Sequence, residues 1–453
     1  MLNLIKIRKG LDVPIGGQAE PKLRQIDTVC CALKPQDFIG VTPKLLVDEG
    51  DKVKVGTPVF FAKEKPEIKF VSPISGQIKS IVRGEKRVIE AIIIEADGKN
   101  DYEDFGCLSV GAASYEQVRD KMLEGGVWTL LRQRPYSVIP KPDTKPKCIV
   151  IKGFDSAPLS PDYSVLLKGE MAALQVGIDA LSKLTDGKVH LNIHQSSLSE
   201  ELLHCENVQR NTFAGKHPCG NVSVQIERLY PINKGERVWY IDATDVVTIG
   251  KLFLEGHYVS DKIVALTGSE VKSTGYYKIK RGACLKPLFE NNVTSGCNLR
   301  YISGNVLTGT QIAEDGFLSA YDSQTTVIKE GDNYEFLGWV MPGFKKFSFS
   351  RTFPYSFLKC FCKKPVKIDA NLHGGHRAFV FNGEFEKVLP LNIYPLQLIK
   401  ACIVEDIDQM EQLGIYEVDS EDFALCEVID VSKTEIQKII RNGLELMRKE
   451  MGE

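Results

Sequence analysis

Residues 39–97 read IGVTPKLLVDEGDKVKVGTPVFFAKEKPEIKFVSPISGQIKSIVRGEKRVIEAIIIEAD, a series of short apolar segments separated by turn residues. Gly50 precedes Val53, and Gly76 precedes Ile78. Strands this short, with glycine, proline or serine at their ends, predict a small all-β unit. This unit fixes the fold of the first part of the chain, and the remaining segments are arranged around it.

The order of these turns resembles the barrel-sandwich hammerhead of biotinyl and lipoyl carrier domains. GD-x-V-x-x-G begins at Gly50, a hairpin follows, and P-x-SG begins at Pro73. Such carriers hold their prosthetic group on a lysine at the hairpin tip, and Lys65 falls near that place. Lys65 is followed by Pro66 and has neither an MKM nor a DKA flank. The pattern therefore favours a carrier-like fold that serves as a scaffold over a working carrier.

Length and composition indicate a soluble protein of several domains. The chain has 453 residues, which predicts roughly three domains of about 150 residues each. Its formal net charge of −2 argues against a general nucleic-acid binder, which would carry a basic surface. No apolar run approaches the roughly 18 residues of a membrane span. The N-terminus also lacks the apolar core of a signal peptide, so we expect a cytoplasmic protein.

Cofactor and metal motifs are missing from the sequence. The 12 cysteines form no CxxC pair, which argues against an iron–sulfur site or a disulfide framework and indicates reduced thiols. Neither GxGxxG nor GxxxxGK occurs, so both phosphate-binding loops are absent. His190 and His194 share one face of a predicted strand, but no acid or cysteine stands at zinc-like spacing. We expect no metal site.

The pattern of elements predicts an α/β multidomain protein. Residues 1–145 form an N-terminal region around the barrel-sandwich unit. Residues 146–267 alternate strand and helix, which predicts a Rossmann-like α/β domain without a dinucleotide motif. Val222–Ile226 is predicted as one of its strands. Residues 268–340 resemble a β-grasp module of the SLBB type, and residues 341–453 form an α+β C-terminal domain that ends in helices.

A tryptophan, two arginines and a tyrosine cluster in GGVWTLLRQRPYSVIPKP, residues 125–142. Trp128 and Tyr136 suit the wall of a site for a planar apolar ring, and Arg132 and Arg134 suit polar atoms at its edge. The alternative is structural. In that case the tryptophan fills the core, and the arginines pair with acids or cap carbonyl groups.

Residues 344–364, FKKFSFSRTFPYSFLKCFCKK, are rich in aromatic and basic side chains and contain no acid. Aromatic residues recur at odd positions, which predicts an extended chain with one aromatic face. One interpretation is an edge strand, with which Pro354 agrees. The other is a docking surface for a partner or a membrane boundary. The candidate docking residues are Lys345, Lys346, Arg351, Phe353 and Tyr355.

A set of motifs running nearly end to end resembles the A subunits of Na+-translocating NADH:quinone oxidoreductases, which are related to the C subunit of the Rnf complex. The matching segments are KIRKGLDVPIGG from Lys6, IGVTPKLLVDEGDKVKVG from Ile39, VSPISGQI from Val71, GGVWTLLRQRPYSVIP from Gly125, HPCG from His217, GKLFLEG from Gly250, ISGNVLTGT from Ile302 and GWVMPGFKKFSFSR from Gly338.

The resemblance implies a subunit of a membrane complex that oxidises NADH, reduces quinone and exports Na+. It implies a peripheral position at the cytoplasmic face of the bacterial inner membrane, with docking on the membrane-embedded subunits. The Rnf relatives have a glycine-rich NADH and flavin loop and C-terminal CxxC motifs, whereas this chain has Gly125-Gly126-Val127-Trp128 and a lone Cys426. We therefore expect NADH, flavins and the iron–sulfur centre to lie in other subunits.

Two functional hypotheses remain from the sequence. In the first, the chain helps to bind quinone as a substrate, is part of an enzyme only when assembled, and places Phe38 opposite Trp128 and Tyr136, with Arg132 or Arg134 as donor. In the second, it is a purely structural adaptor with a degenerate NADH and flavin loop. No nucleic acid is expected as a partner in either case.

Overall fold

The computed structural model of the protein describes residues 4–332, 335–338, 341, 343, 346–358, 366–380 and 383–452.

The described strands are short. In chain order they are β1 (Leu4–Ile7), β2 (Leu23–Gln25), β3 (Cys30–Leu33), β4 (Pro43–Leu45), β5 (Lys52–Val53), β6 (Pro58–Ala62), β7 (Lys65–Val71), β8 (Gly76–Arg83), β9 (Ile89–Ala96), β10 (Arg132–Arg134), β11 (Ile149–Lys152), β12 (Val189–His194), β13 (Gln209–Gly215), β14 (Val238–Asp242), β15 (Asp261–Thr267), β16 (Gly275–Lys280), β17 (Leu299–Ser303), β18 (Thr310–Ile312) and β19 (Gln324–Lys329).

The described α-helices concentrate in the middle and at the end of the chain. They are α1 (Tyr115–Glu124), α2 (Tyr163–Leu166), α3 (Met171–Lys183), α4 (Glu200–His204), α5 (Val222–Leu229), α6 (Ala243–Glu255), α7 (Lys286–Phe289), α8 (Pro354–Leu358), α9 (Phe385–Val388), α10 (Pro395–Ile403), α11 (Ile407–Gln412), α12 (Ala424–Ile429) and α13 (Ile436–Glu450).

The first unit is a pair of small antiparallel sheets, as the turn pattern of residues 39–97 predicts. One sheet has the order β3-β9-β8-β5 and the other β4-β6-β7. Apolar side chains between the two sheets, such as Phe60 and Ile92, are fully buried. Lys65 begins β7 beside the hairpin tip, and its ammonium lies 3.7 Å from the carboxylate of Asp143.

The Rossmann-like sheet has the order β1-β13-β12-β11-β14-β10. Five of its strands run parallel, namely β1, β13, β12, β11 and β14. Strand β10 forms one edge and is antiparallel to β14. Strands that alternate with helices and are buried on both faces produce this architecture. The predicted α/β domain is therefore present.

The fourth sheet, β18-β17-β19-β15-β16-β2, forms the β-grasp module. The segment 1–145 thus supplies strands to several sheets, because β1 pairs with β13 and β2 pairs with β16. The modules are joined by these strands from the N-terminal segment as well as by side-chain packing. The C-terminal helices pack on the Rossmann-like sheet and share a second apolar core with it, in which Phe423, Ile440 and Leu444 are fully buried.

Two predictions of local structure are wrong. Val222–Ile226 is not a strand but the first part of α5, and residues 222–226 are all buried. The β-branched residues Val222, Val224 and Ile226 alternate as they would in a half-buried strand. Because residues 222–226 are all buried, the sequence shows no helical periodicity of apolar and polar residues there. In residues 344–364 the extended pattern fails at α8, which begins at Pro354. Proline is favoured at a first helical position because its missing N–H is not needed there.

Candidate functional site

A small cavity lies where the barrel-sandwich unit, the β-grasp module and the segment after α1 meet. Its volume is about 50 Å³. The lining combines aromatic rings and backbone with a few charged groups, including Phe38, Phe70, Thr129, Arg281 and Tyr321. We call it the interdomain cavity.

Aromatic side chains form one wall of the interdomain cavity. Phe38 follows a 3-10 turn at Pro35–Asp37, and its ring centroid lies 4.5 Å from that of Phe70 and 5.7 Å from that of Tyr321. The Tyr321 hydroxyl donates a hydrogen bond of 2.8 Å to the carbonyl oxygen of Thr129. Rings from the barrel-sandwich unit and the β-grasp module thus pack together beside the segment that follows α1.

The glycine pair after α1 explains how the backbone approaches this wall. Gly126 adopts a φ of +72°, a left-handed conformation that favours glycine. A side chain at Gly126 would lie 2.6 Å from the methyl groups of Val71, so the close packing of the 3-10 turn Val127–Leu130 on β7 requires glycine. The double glycine therefore serves packing in this structure.

Arg281 is the buried cation of the interdomain cavity. Its Nη2 donates to Asp245 Oδ1 at 2.5 Å and to Thr248 Oγ1 at 3.0 Å. Burial opposes its charge most strongly, but Asp245 together with Tyr258 and Asp242 outweighs burial and raises the pKa of Arg281 above its usual range. Nε and Nη1 are buried and have no hydrogen-bond partner among the described residues. Buried donors without partners are costly, so these atoms suit an acceptor from outside the chain.

Further titratable groups surround the interdomain cavity. Lys34 and Asp37 line it and form an ion pair at 3.6 Å, and Asp37 also accepts a hydrogen bond of 2.8 Å from the backbone N–H of Ala320. Burial raises the pKa of Asp37. Lys262 donates to the Ala320 carbonyl oxygen at 3.2 Å, and burial lowers its pKa to about 8.

Of the five residues proposed from the sequence, Phe38 lines the interdomain cavity and Arg132 lies directly behind it. The Arg132 guanidinium is sandwiched between two rings, 4.4 Å from the centroid of Tyr321 and 4.6 Å from that of Tyr240. Such cation–π contacts stabilise an arginine whose charge is removed from water.

Trp128 and Tyr136 belong to packed cores. Trp128 is 1% exposed, donates its indole N–H to the Pro140 carbonyl oxygen at 2.9 Å, and packs edge-on against Trp239. Tyr136 lies in the core between the Rossmann-like sheet and the C-terminal helices, 6.3 Å from the ring of Tyr416. The structure does not bring these two rings to the wall formed by Phe38.

Arg134 connects β10 to the C-terminal domain. It is 1% exposed, forms ion pairs with Asp419 and Glu421, and donates to the hydroxyl of Ser137. Burial disfavours its charge most strongly, but Asp419 together with Tyr240, Glu421 and Asp422 outweighs burial and holds the pKa of Arg134 well above its usual range. Its terminal nitrogens are thus engaged within the chain, as the structural interpretation of this segment anticipated.

Nothing in the sequence singles out Arg281 or Tyr321. Arg281 follows β16 in KIKRGAC, where one basic residue among others carries no recognisable motif. Only the folded chain brings it beside Phe38, from which it is separated by more than half the sequence.

The predicted docking segment is partly described. Lys345 lies outside the described residues. Lys346 pairs with Glu335 and lies 5.7 Å above the ring of Phe353, which is half-buried, as is Tyr355. Arg351 is exposed, and no ion pair joins it to another described residue.

A second cleft lies between the end of the barrel-sandwich unit and strands β2 and β16. Its volume is about 430 Å³. Polar groups dominate its lining, and the lysines Lys278 and Lys280 are both paired with Asp261, at 3.0 and 2.7 Å. Such a polar and internally neutralised cleft does not fit an apolar ring.

Within the described part of the chain, no helix has the length and apolar character needed to cross a membrane. The same residues contain no group of three or more His, Cys, Asp or Glu side chains arranged to hold a metal ion.

Three family models match the chain in order: the NqrA N-terminal barrel-sandwich hybrid domain at residues 5–97, the NqrA second alpha/beta domain at residues 113–258, and the NQRA C-terminal domain of the SLBB type at residues 263–314. The expected fold class and the resemblance drawn from the sequence motifs are thereby confirmed.

Curated relatives match over the full length. The A subunit of the Na(+)-translocating NADH-quinone reductase of Yersinia pseudotuberculosis is 37% identical, covering 99% of this chain and 100% of its own. The protein of the same name from Rhodopirellula baltica is 36% identical, covering 99% of both chains. A solved NAD+-reducing [NiFe]-hydrogenase is 13% identical with a TM-score of 0.41, covering 75% of this chain and 62% of its own, a likeness on which no conclusion rests. The chain therefore belongs to the family of A subunits of the Na+-translocating NADH-quinone reductase, an oxidoreductase complex.

Proposed function

We propose that this chain is a peripheral subunit on the cytoplasmic face of the membrane complex and that it binds the quinone head group in the interdomain cavity. The curated relatives are named as subunits of a Na(+)-translocating NADH-quinone reductase, so quinone and Na+ enter the proposal through them. NADH, flavins and the iron–sulfur centre belong to the other subunits, because this chain has neither a GxGxxG loop nor a CxxC pair.

The unpartnered nitrogens of Arg281 carry the proposal. A quinone offers two carbonyl acceptors on a flat apolar ring, and the interdomain cavity offers a buried donor beside the rings of Phe38 and Tyr321. A guanidinium close to a carbonyl oxygen also stabilises the negative charge that develops on reduction. Arg281 thereby takes the role that the sequence assigned to Arg132 or Arg134.

The size of the interdomain cavity requires it to open for the ring. A volume of about 50 Å³ holds a few water molecules, whereas small-molecule sites typically enclose roughly 300–1,000 Å³. Phe38 belongs to the barrel-sandwich unit and Tyr321 to the β-grasp module. We infer that these two rings move apart when quinone enters, because they close the cavity from opposite modules.

The test is quinone affinity of the assembled complex carrying Arg281→Lys or Phe38→Leu. Lysine keeps a positive charge near Asp245 but loses the directed Nε and Nη1 donors. We expect Arg281→Lys to weaken quinone binding by about 1–3 kcal/mol, the usual cost of a buried acceptor without its donor. Phe38→Leu should also weaken binding, because it removes one ring of the wall.

Arg300→Lys is the matched control, since Arg300 pairs with Glu330 in the same module and does not line the interdomain cavity. NADH oxidation by an artificial electron acceptor should stay unchanged in all three variants. Normal quinone affinity in both cavity variants would favour the alternative, a purely structural adaptor.

A further inference from the structure

The β-grasp module is attached to the barrel-sandwich unit along the free edge of β3. Cys31 and Ala283 form an antiparallel bridge, in which the Ala32 N–H donates to the Gly282 carbonyl oxygen at 2.8 Å. The Cys284 N–H donates to the Cys30 carbonyl oxygen at 3.0 Å. Gly282 adopts a φ of +67°, and a side chain there would collide with the backbone of Ala32.

This register places Cys30 directly opposite Cys284. Side chains of opposed residues in an antiparallel pair project to the same face, with Cα atoms about 5.5 Å apart at a hydrogen-bonded position. Disulfides need a Cα separation of roughly 4.4–6.8 Å. The Cys284 thiol donates to the Asp315 carbonyl oxygen at 3.4 Å, and both Cys30 and Cys284 are half-buried rather than fully enclosed. Cys31, by contrast, is fully buried.

We propose that Cys30 and Cys284 form a reversible disulfide that joins the two modules, with a small-molecule disulfide such as oxidised glutathione as the oxidant. The thiolate of one cysteine attacks a sulfur of the oxidant, which forms a mixed disulfide and releases one thiolate. The second cysteine then attacks the mixed disulfide and releases the other. Two protein thiols are oxidised, one oxidant is reduced to two thiols, and the two cysteine protons end on those thiols.

The bond would lock the strand pair that joins the two modules. Ala32 and Gly282, which flank the cysteines, also line the interdomain cavity. The inference itself rests on the register of the backbone and stands whether or not that cavity binds quinone. Burial, followed by the neighbouring Cys284, raises the pKa of Cys30 to about 11, so exchange at neutral pH is slow and the reaction must reach equilibrium.

The experiment is equilibration of the purified full chain in oxidised glutathione, followed by thiol counting and peptide mapping. We expect wild type to yield one cross-linked peptide containing Cys30 and Cys284 and to recover both of these thiols in dithiothreitol, while exposed cysteines such as Cys107 form separate glutathione adducts. Cys30→Ser and Cys284→Ser should each abolish the cross-linked peptide. Cys107→Ser, which replaces an exposed cysteine, is the matched control and should retain it.

Thermal unfolding distinguishes a variant that lacks the disulfide from a variant that is misfolded. Oxidation should raise the Tm of wild type and of Cys107→Ser, and leave the Tm of Cys30→Ser and Cys284→Ser unchanged, because a cross-link restricts only the unfolded chain that contains it. Separate glutathione adducts on the two cysteines without a cross-linked peptide would overturn the proposal. Unreacted Cys30 and Cys284 at equilibrium, in samples whose Cys107 is modified, would overturn it as well.

Discussion

Arg134 has its terminal nitrogens engaged by the C-terminal domain. Nη2 donates to Glu421 Oε1 at 2.6 Å, and Nη1 contacts Asp419 and the hydroxyl of Ser137. Asp419 also pairs with Arg441 from α13. A buried arginine within reach of two carboxylates therefore joins β10 to the C-terminal helices.

We predict that Arg134→Met lowers the free energy of unfolding by about 3 kcal/mol, because it leaves the buried carboxylate of Asp419 with Arg441 as its one remaining cation among the described residues and removes the partner of Glu421. Denaturant unfolding of the purified chain measures this loss. Arg300→Met is the control, since the Arg300–Glu330 pair is partly exposed, and it should cost less than about 1 kcal/mol. A similar loss for the two variants would exclude a special role for the Arg134 network.

The effect of Arg134→Met should depend on pH in a defined direction. Burial opposes the ionisation of Asp419, but Arg134 and then Arg441 outweigh it and lower the pKa of its carboxyl group. A carboxylate with a lowered pKa stabilises the folded state above its unfolded pKa of about 3.9, and this stabilisation is lost as the pH falls further. The difference between wild type and variant should therefore be full at neutral pH and shrink below about pH 4.

At the scale of elements, the sequence predicts those whose signal is local. The Gly and Pro turns of residues 39–97 identify the barrel-sandwich unit, and Ser114 with Gln117 forms the capping box that begins α1. Helix α5 was missed because it is buried on several sides and rich in β-branched residues. Periodicity identifies a helix by the contrast between an apolar face and a polar face. It therefore does not reveal a helical segment that is buried on all sides.

The segment around α8 remains our proposed docking element, and its exposed cation is the residue to change. Lys346 is already neutralised by Glu335, whereas Arg351 is exposed. We predict that Arg351→Glu weakens co-purification of this chain with the membrane-embedded subunits and leaves its own thermal unfolding unchanged. Arg87→Glu, which changes an exposed arginine on the barrel-sandwich unit, is the control. Equal recovery of the complex in both variants would show that Arg351 plays no part in docking.

At the scale of the whole molecule, the candidate site is built from residues far apart in sequence. Phe38 could be proposed only through a family resemblance, and Arg281 could not be proposed at all. Strands β1 and β2, which the N-terminal segment contributes to other sheets, and the bridge between β3 and residues 282–284 bring three chain regions to one cavity. Periodicity carries no information on such non-local pairing, so the site had to be identified from the fold.

The most direct test of quinone binding is photolabelling of the assembled complex with a photoreactive quinone, followed by peptide mapping of every subunit. We predict label on this chain in peptides that contain Phe38, residues 126–130 or residues 318–321, because these segments line the interdomain cavity. An excess of unlabelled quinone should suppress the label, and Arg281→Lys should reduce it. Label confined to other subunits, or label on this chain that persists under competition, would contradict the account.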